Sequence, residues 1–285
     1  MSRLVAPSPL ARIPLYVVIA IVVALAVNAI RWAIVDWNLN DVDVYWDAAT
    51  RLRNGGSPYG GSVAIDPADP EGLYRQYRYA PWFAALWVPL TFIPRPVAEL
   101  AWSMALILVS LWIVSVPARL GLTGAIAAAL IGTFLLGISS GGNVQPLLVA
   151  ALLFGVDRRS GPVWVGLAAS LKLVPVLFVL LYVARREWTR AAVALSITTA
   201  LLAPALMFEI PVETFAAGPA QTISGLPHLV LVGLGALVAL FVAVRQPTAG
   251  PLAVATAAIV ALPRLLPYES TLLAAGLSPL LRRGR

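Results

Sequence analysis

The chain has 285 residues, of which 60% are hydrophobic and 12% charged, and its mean hydropathy is +0.87. Because a soluble domain carries about 25% charged residues, this composition predicts a polytopic membrane protein and excludes an ordinary soluble enzyme. The net charge of +7 does not indicate nucleic-acid binding, since the arginines flank apolar segments, and the absence of cysteine excludes a disulfide framework.

Apolar segments follow one another along the chain, and several are shorter than the ~20 residues that a straight crossing needs. They are residues 14–31, 80–94, 97–117, 122–138, 144–156, 162–184, 189–210, 228–244, 251–266 and 270–281. Broken helices are tolerated at membrane depth only where protein or a water-filled cavity covers the backbone. The expected fold is all-α, a single polytopic domain (1–285) of about ten membrane helices, some short or broken.

The arginines predict the orientation of these segments. Arg3 and Arg12 precede the first apolar segment, which indicates a cytoplasmic N-terminus, residues 31–79 outside, and Arg95 inside. Other arginines that indicate the cytoplasmic side are Arg185, Arg186, Arg190, Arg282, Arg283 and Arg285.

One stretch conflicts with simple alternation. Asp157, Arg158 and Arg159 also have a cytoplasmic character, yet a single apolar segment, 162–184, separates them from Arg185. Either Arg158 lies outside, or 162–184 enters and leaves as two half-helices broken near Lys172. Both interpretations are compatible with the sequence.

The external segment 31–79 is the long hydrophilic region of the chain. Within it, 41–53 has an apolar face of Tyr45, Ala48, Ala49 and Leu52 at helical spacing, which predicts a short amphipathic helix in the membrane interface. A carboxylate at the outer mouth of a membrane cavity can act as a general base on a sugar hydroxyl. Alternatively, Asp41 or Asp43 caps this helix, and spacing alone favours the capping role.

Other polar residues interrupt the apolar segments. Arg75 and Arg78 precede 80–94, where they either bind a phosphate or belong to the interfacial belt. Asn143 is either a ligand for sugar hydroxyls or a helix cap. Lys172 is an ionisable residue inside an apolar segment, so we expect it to bind either a donor phosphate or an acidic side chain. His228, the only histidine, leaves little for a metal site.

Several motifs occur in an order that resembles a known family. They are DVDVYWDAATRLRNGGSPY (41–59), YRYAPWFAALWVPLTFIP (77–94), GGNVQPLLVAALL (141–153), VGLAASLKLVPVLFVLLYVARREW (165–188), AQTISGLPHL (220–229) and LPYESTLLAAGLSPLL (266–281). Together they resemble glycosyltransferase family 87 (DUF2029) of the GT-C membrane glycosyltransferases, which includes the PimE-like polyprenyl-phosphate-mannose-dependent mannosyltransferases. Two departures are the short chain and the exchanged positions of Asn143 and Gln145.

The resemblance implies an inverting transfer from a polyprenyl-phosphate sugar to a glycolipid or cell-envelope glycan, on the outer face of a bacterial plasma membrane. It implies Asp41 as the catalytic base, with Asp43 as the second candidate, and no metal or cofactor. Candidate contacts to the donor phosphate are Lys172, Arg78 and Arg75. Candidate sugar or acceptor contacts are Tyr45, Asn143, Gln145, Gln221, His228 and Glu269.

Two other classes of function compete with transfer. A transporter or lipid flippase would place acids at mid-membrane and often contains inverted repeats, whereas these acids lie in an external loop and no internal repeat is evident. A non-catalytic membrane scaffold related to the enzymes would not depend on Asp41 or Asp43. A further alternative keeps the chemistry with another sugar, arabinose or glucose.

Overall fold

The computed structural model describes residues 9–35, 40–59, 76–210, 225–262 and 266–283. Its α-helices are α1 Pro9–Val35, α2 Asn40–Arg53, α3 Pro81–Trp87, α4 Arg95–Ala118, α5 Gly121–Ser140, α6 Gln145–Gly155, α7 Gly161–Leu171, α8 Val179–Ala184, α9 Trp188–Leu202, α10 Gly225–Arg245, α11 Gly250–Val260 and α12 Ser278–Arg283. Shorter 3₁₀ helices adjoin them at Val88–Phe92, Val174–Phe178, Ala203–Met207 and Pro267–Leu277.

Some of these helices are long and apolar enough to cross a membrane. Within the described residues they are Arg95–Ala118, Thr123–Ser140, Trp188–Met207 and Gly225–Arg245. α4, with 24 residues, is about 36 Å long, more than the ~30 Å hydrocarbon core of a bilayer. Together with shorter apolar helices, they confirm an all-helical, multi-pass membrane protein. The number of crossings and the single-domain division stay predictions.

Residues 81–92 form two short helices and not one helix of membrane-spanning length. α3 has 7 residues and the 3₁₀ helix after it has 5, and both pack against α2. Arg95, directly beyond them, forms an ion pair with Asp43 of α2. The predicted span 80–94 is therefore not one membrane-length helix, whereas the side of the membrane on which Arg95 lies stays a prediction.

Residues 161–184 form two short arms, as one of the two sequence interpretations predicts. α7 has 11 residues, Lys172 leaves the helix with an extended backbone, and the second arm runs from Val174 to Ala184. The first arm is about 16 Å long and the second about 19 Å, roughly half of a bilayer core or a little more. Nη1 of Arg185, after the second arm, lies 2.7 Å from Oδ1 of Asp157, before the first arm. The two-arm segment therefore begins and ends at the same end of the bundle.

The apolar face of α2 packs into the protein. Tyr45, Ala48 and Ala49 are fully buried, as the helical spacing predicts. The Tyr45 ring makes edge contacts with Phe83 and Tyr79, at centroid distances of 4.9 and 5.1 Å. An aromatic core therefore fixes α2 against α3, while the interfacial position of α2 stays a prediction.

A cluster of ionic contacts lies where α6 ends and α7 begins. We call it the basic-end cluster, and its members are Asp157, Arg185, Glu187, Arg190 and Ser278. Ser278 donates a hydrogen bond of 2.8 Å to Oδ2 of Asp157, and Nη1 of Arg190 lies 2.7 Å from Oε2 of Glu187. These contacts connect the ends of short helices that are far apart in sequence.

Candidate active site

Asp41 lies in the first turn of α2, beside the loop between α5 and α6. Its Oδ2 accepts a hydrogen bond of 3.1 Å from Nδ2 of Asn143, and the N-terminal end of a helix favours a carboxylate. Burial nevertheless raises the pKa of the Asp41 carboxyl, and the Asn143 hydrogen bond and the Lys172 charge lower it only in part. Asp41 is therefore a stronger base than a solvated aspartate.

A glycine allows this close approach of loop and helix. Gly142 has a φ of +75°, and a Cβ there would overlap the side chain of Val42 on α2. Nε1 of Trp102 donates a hydrogen bond of 2.8 Å to the Gly142 carbonyl, which fixes the turn. As a consequence, the residue after Gly142 reaches the Asp41 carboxylate.

Hydrogen bonds continue from Asp41 into the bundle through five residues that we call the site network: Asp41, Asn143, Gln145, Lys172 and Glu269. The backbone N–H of Gln145 donates to Oδ1 of Asn143 at 2.9 Å, which orients the Asn143 amide. Nζ of Lys172 donates to Oε1 of Gln145 and to Oε1 of Glu269, each at 3.0 Å. The network thus joins a carboxylate with raised pKa to a partly exposed cation.

Helix breaks supply the members of the site network. Asn143 lies between α5 and α6, Gln145 begins α6, Lys172 follows α7, and Glu269 lies in the 3₁₀ helix Pro267–Leu277. Helix ends leave backbone groups without intrahelical partners, so polar residues can meet there without interrupting a long helix. Lys172 keeps 21% of its side chain exposed, whereas Glu269 is buried.

A cavity of about 480 Å³ opens beside Lys172. Its polar lining residues in the described chain are Tyr59, Arg78, Tyr79, Ser170, Lys172, Tyr268 and Glu269, and the other lining residues are apolar. This volume lies within the 300–1,000 Å³ typical of small-molecule sites. A basic residue, a carboxylate and aromatic faces in one cavity suit an anionic ligand that also carries hydroxyl groups.

Asp41 does not line this cavity, but it lies near Tyr79, which does. The pKa of the Tyr79 phenol is raised well above its ordinary value, mainly by burial and next by the charge of Asp41. Tyr45 donates a hydrogen bond of 3.1 Å to the Tyr79 oxygen. Tyr79 therefore links the cavity lining to the surroundings of Asp41, a residue of intermediate exposure.

The second candidate base has a different environment. Asp43 is buried and pairs with Arg95, whose Nε lies 2.5 Å from Oε1 of Glu99. Neither Asp43 nor Tyr45 belongs to the cavity lining. The structure therefore separates the two aspartates, with Asp41 in the site network and Asp43 in an ion-pair cluster between α2 and α4.

The remaining predicted residues are not brought into the network. His228, in the first turn of α10, does not line the cavity described above. Arg75 and Gln221 lie outside the described residues. Within the described chain no group of three or more His, Asp or Glu side chains could hold a metal. The roles predicted for these residues, and the absence of a metal from the reaction, stay predictions.

Two site residues escaped the sequence interpretation. Thr271 accepts a hydrogen bond of 3.4 Å from Nε2 of Gln145, and its hydroxyl donates to the Tyr268 carbonyl at 2.6 Å. Tyr79 looked like an ordinary interfacial aromatic because it directly precedes an apolar segment. Their positions in the sequence could have indicated them, because Thr271 lies two residues from Glu269 and Tyr79 lies next to Arg78, both of which were predicted contacts.

An apolar groove of about 390 Å³ lies next to the cavity, between α3, α4, α6 and α7. Its aromatic lining residues are Trp82, Trp112, Phe154 and Trp164. Leu171 lines both the groove and the cavity. The groove thus ends one residue away from Lys172.

Comparison with known families agrees with these features. The model of glycosyltransferase family 87 matches residues 77–277 of the 285-residue chain. Searches of curated proteins and of solved structures returned no match. The matched interval contains Asn143, Lys172 and Glu269 and begins after Asp41, so the alignment of Asp41 with the family's acid stays a prediction. The chain belongs to glycosyltransferase family 87 and is a membrane-embedded glycosyltransferase.

Proposed function

We propose that this glycosyltransferase moves a sugar, mannose in the first instance, from a polyprenyl-phosphate donor to a hydroxyl group of a glycolipid or cell-envelope glycan. The reaction takes place at the outer face of a bacterial plasma membrane and inverts the anomeric configuration. The observation that carries this proposal is the site network, which connects the Asp41 carboxylate to the Lys172 ammonium at the cavity.

Asp41 acts as the general base. It takes the proton of the acceptor hydroxyl while that oxygen bonds to the anomeric carbon. The bond between this carbon and the phosphate oxygen breaks, and its electron pair leaves with the polyprenyl phosphate. The raised pKa of Asp41 favours proton uptake, because a base works best when its pKa is near the working pH.

Lys172 and Arg78 bind the phosphate. Both line the cavity, and two of the three N–H groups of the Lys172 ammonium are used by Gln145 and Glu269, so one is left for a phosphate oxygen. Fixed positive charge at the departing oxygen stabilises the transition state more than the ground state. Since the leaving group is already a stabilised anion, this scheme calls for no metal or cofactor.

The apolar groove supports a lipid-linked donor. An amphipathic donor needs an apolar surface for its chain directly beside a cationic site for its phosphate, and Leu171 and Lys172 supply this junction. Tyr79 lines the cavity and lies near Asp41, so donor and acceptor meet beside it. The donor occupies the cavity, and the acceptor hydroxyl binds between the donor's anomeric carbon and the Asp41 carboxylate.

The test is transfer by the purified protein in liposomes that contain polyprenyl-phosphate-mannose and a bacterial membrane lipid extract. Mass analysis of the lipids should reveal a product heavier by one hexose, together with free polyprenyl phosphate. Uptake of donor lipid or sugar across the liposome without any glycosylated product would overturn the proposal and favour a transporter. Binding of the donor without either outcome would favour a scaffold.

A further inference from the structure

We infer that Glu269 selects the donor sugar by accepting a hydrogen bond from one of its ring hydroxyls. The inference rests on the proposed function and deepens it, because it assigns the specificity of the cavity to one carboxylate oxygen. Glu269 is only 5% exposed, and it lines the cavity together with Lys172.

The two oxygens of this carboxylate differ. Oε1 accepts the Lys172 hydrogen bond of 3.0 Å, which fixes the carboxylate plane. Oε2 is buried and has no hydrogen-bond partner among the described residues. A buried acceptor without a partner is costly, and an ionised carboxylate can only accept, so Oε2 calls for an O–H or N–H group from a ligand.

The position of Glu269 identifies that ligand group. Lys172 holds the donor phosphate in the proposed function, and the sugar is joined to this phosphate at its anomeric carbon. A carboxylate bonded to Lys172 therefore lies within reach of the ring hydroxyls. Glu269 lines the cavity that holds the donor, whereas Asp41 does not, so the hydroxyl at Oε2 belongs to the donor. Tyr268, which lies 5.1 Å from Nζ of Lys172, presents an aromatic ring to the same sugar.

Gln145 and Thr271 keep the arrangement rigid. Gln145 is fully buried and bonds both Lys172 and Thr271. A rigid site that is built to bond one hydroxyl discriminates strongly against an analogue that lacks it, because its own polar group is then left unpaired.

The experiment measures donor binding with short-chain polyprenyl-phosphate mannose and its 2-, 3-, 4- and 6-deoxy analogues, by calorimetry on the purified protein in detergent. The wild type should bind one deoxy analogue about 10- to 100-fold more weakly than the parent donor. Glu269→Gln should lower the affinity for the parent and bring that analogue to within a few-fold of it. Glu269→Asp, which keeps the charge but withdraws the carboxylate, should also reduce the discrimination.

Glu187→Gln is the matched control, because it removes the same charge from an ion pair in the basic-end cluster. It should leave the whole series unchanged. A flat deoxy series in the wild type, or equal weakening of every donor by Glu269→Gln, would refute selection by Glu269 even if transfer occurs. Failure of all donors to bind would overturn the proposed donor as well, which separates the two claims.

Discussion

The site network and the basic-end cluster contain the same kinds of groups at opposite ends of α6 and α7. Both join carboxylates to cations across helix breaks. At the basic end, Oδ1 of Asp157 forms an ion pair with Arg185 at 2.7 Å, and Oδ2 accepts a hydrogen bond of 2.8 Å from Ser278. At the other end, Oε2 of Glu269 has no partner in the described chain, and the network borders a cavity.

This difference separates structural from chemical use of buried charge. An ion pair whose acceptors are all bonded holds helix ends together and has nothing left for a ligand. A network that borders a cavity, with one acceptor left without a partner and one carboxylate whose pKa is raised, can bind a ligand and take up a proton. Substitutions at the two ends should therefore have opposite signatures, activity loss at one and stability loss at the other.

The largest expected effect is that of Asp41→Asn. The amide cannot take up the acceptor proton, so transfer should fall by about 10²- to 10⁴-fold while donor binding and protein yield are kept. The measurement is the initial rate of transfer in liposomes. Asp47→Asn, the same change on the same helix, is the control and should keep the wild-type rate. An active Asp41→Asn variant would remove Asp41 as the base.

Lys172→Gln should have the next largest effect. It removes positive charge at the leaving phosphate, so kcat/KM should fall by about 10²- to 10³-fold. Arg185→Gln removes a cation from the basic-end cluster and should leave kcat/KM per folded molecule unchanged. Steady-state rates over a range of donor concentrations test both. Equal loss in the two variants would contradict the distinction between the two ends.

The sequence predicts much of this site because its residues are unusual for their surroundings. Lys172 is charged within an apolar segment, Glu269 lies in the short gap between two such segments, and Asn143 and Gln145 lie in a glycine-rich break. Burying such polar groups costs free energy unless a cavity or a partner receives them. The amphipathic spacing of α2 likewise predicts its buried face, because helical periodicity is a strong signal.

The failures of the sequence interpretation also have physical causes. Hydropathy measures how apolar a segment is and does not reveal a break within it, so 80–94 was predicted as one span although it contains two short helices. The positive charge of Arg95 was attributed to orientation, although a buried partner, Asp43, explains it. Partners distant in sequence, such as Gln145 and Thr271, require the fold.

Asp157→Asn should lower the stability of the protein and keep its activity, the opposite of the effect expected for Asp41→Asn. Weakening its contacts with Arg185 and Ser278 should cost about 1–3 kcal/mol of stability, because hydrogen bonds to charged groups contribute in that range. The melting temperature in detergent should fall, whereas kcat/KM measured well below it should match the wild type. A lower kcat/KM without a change in melting temperature would show that the basic end takes part in catalysis.

The smallest effect is a shift in pH dependence caused by Asn143→Ala. Asp41 must be unprotonated to act as the base, so kcat/KM falls as the pH drops through the pKa of its carboxyl. The Asn143 hydrogen bond stabilises the charged form and lowers this pKa against the larger effect of burial. Its loss therefore raises the pKa and moves the acid limb of the pH profile to higher pH, with little change on the alkaline plateau. Asn54→Ala, at the other end of α2, should keep the wild-type profile. An acid limb that stays in place, or moves to lower pH, would mean that a group other than Asp41 controls it.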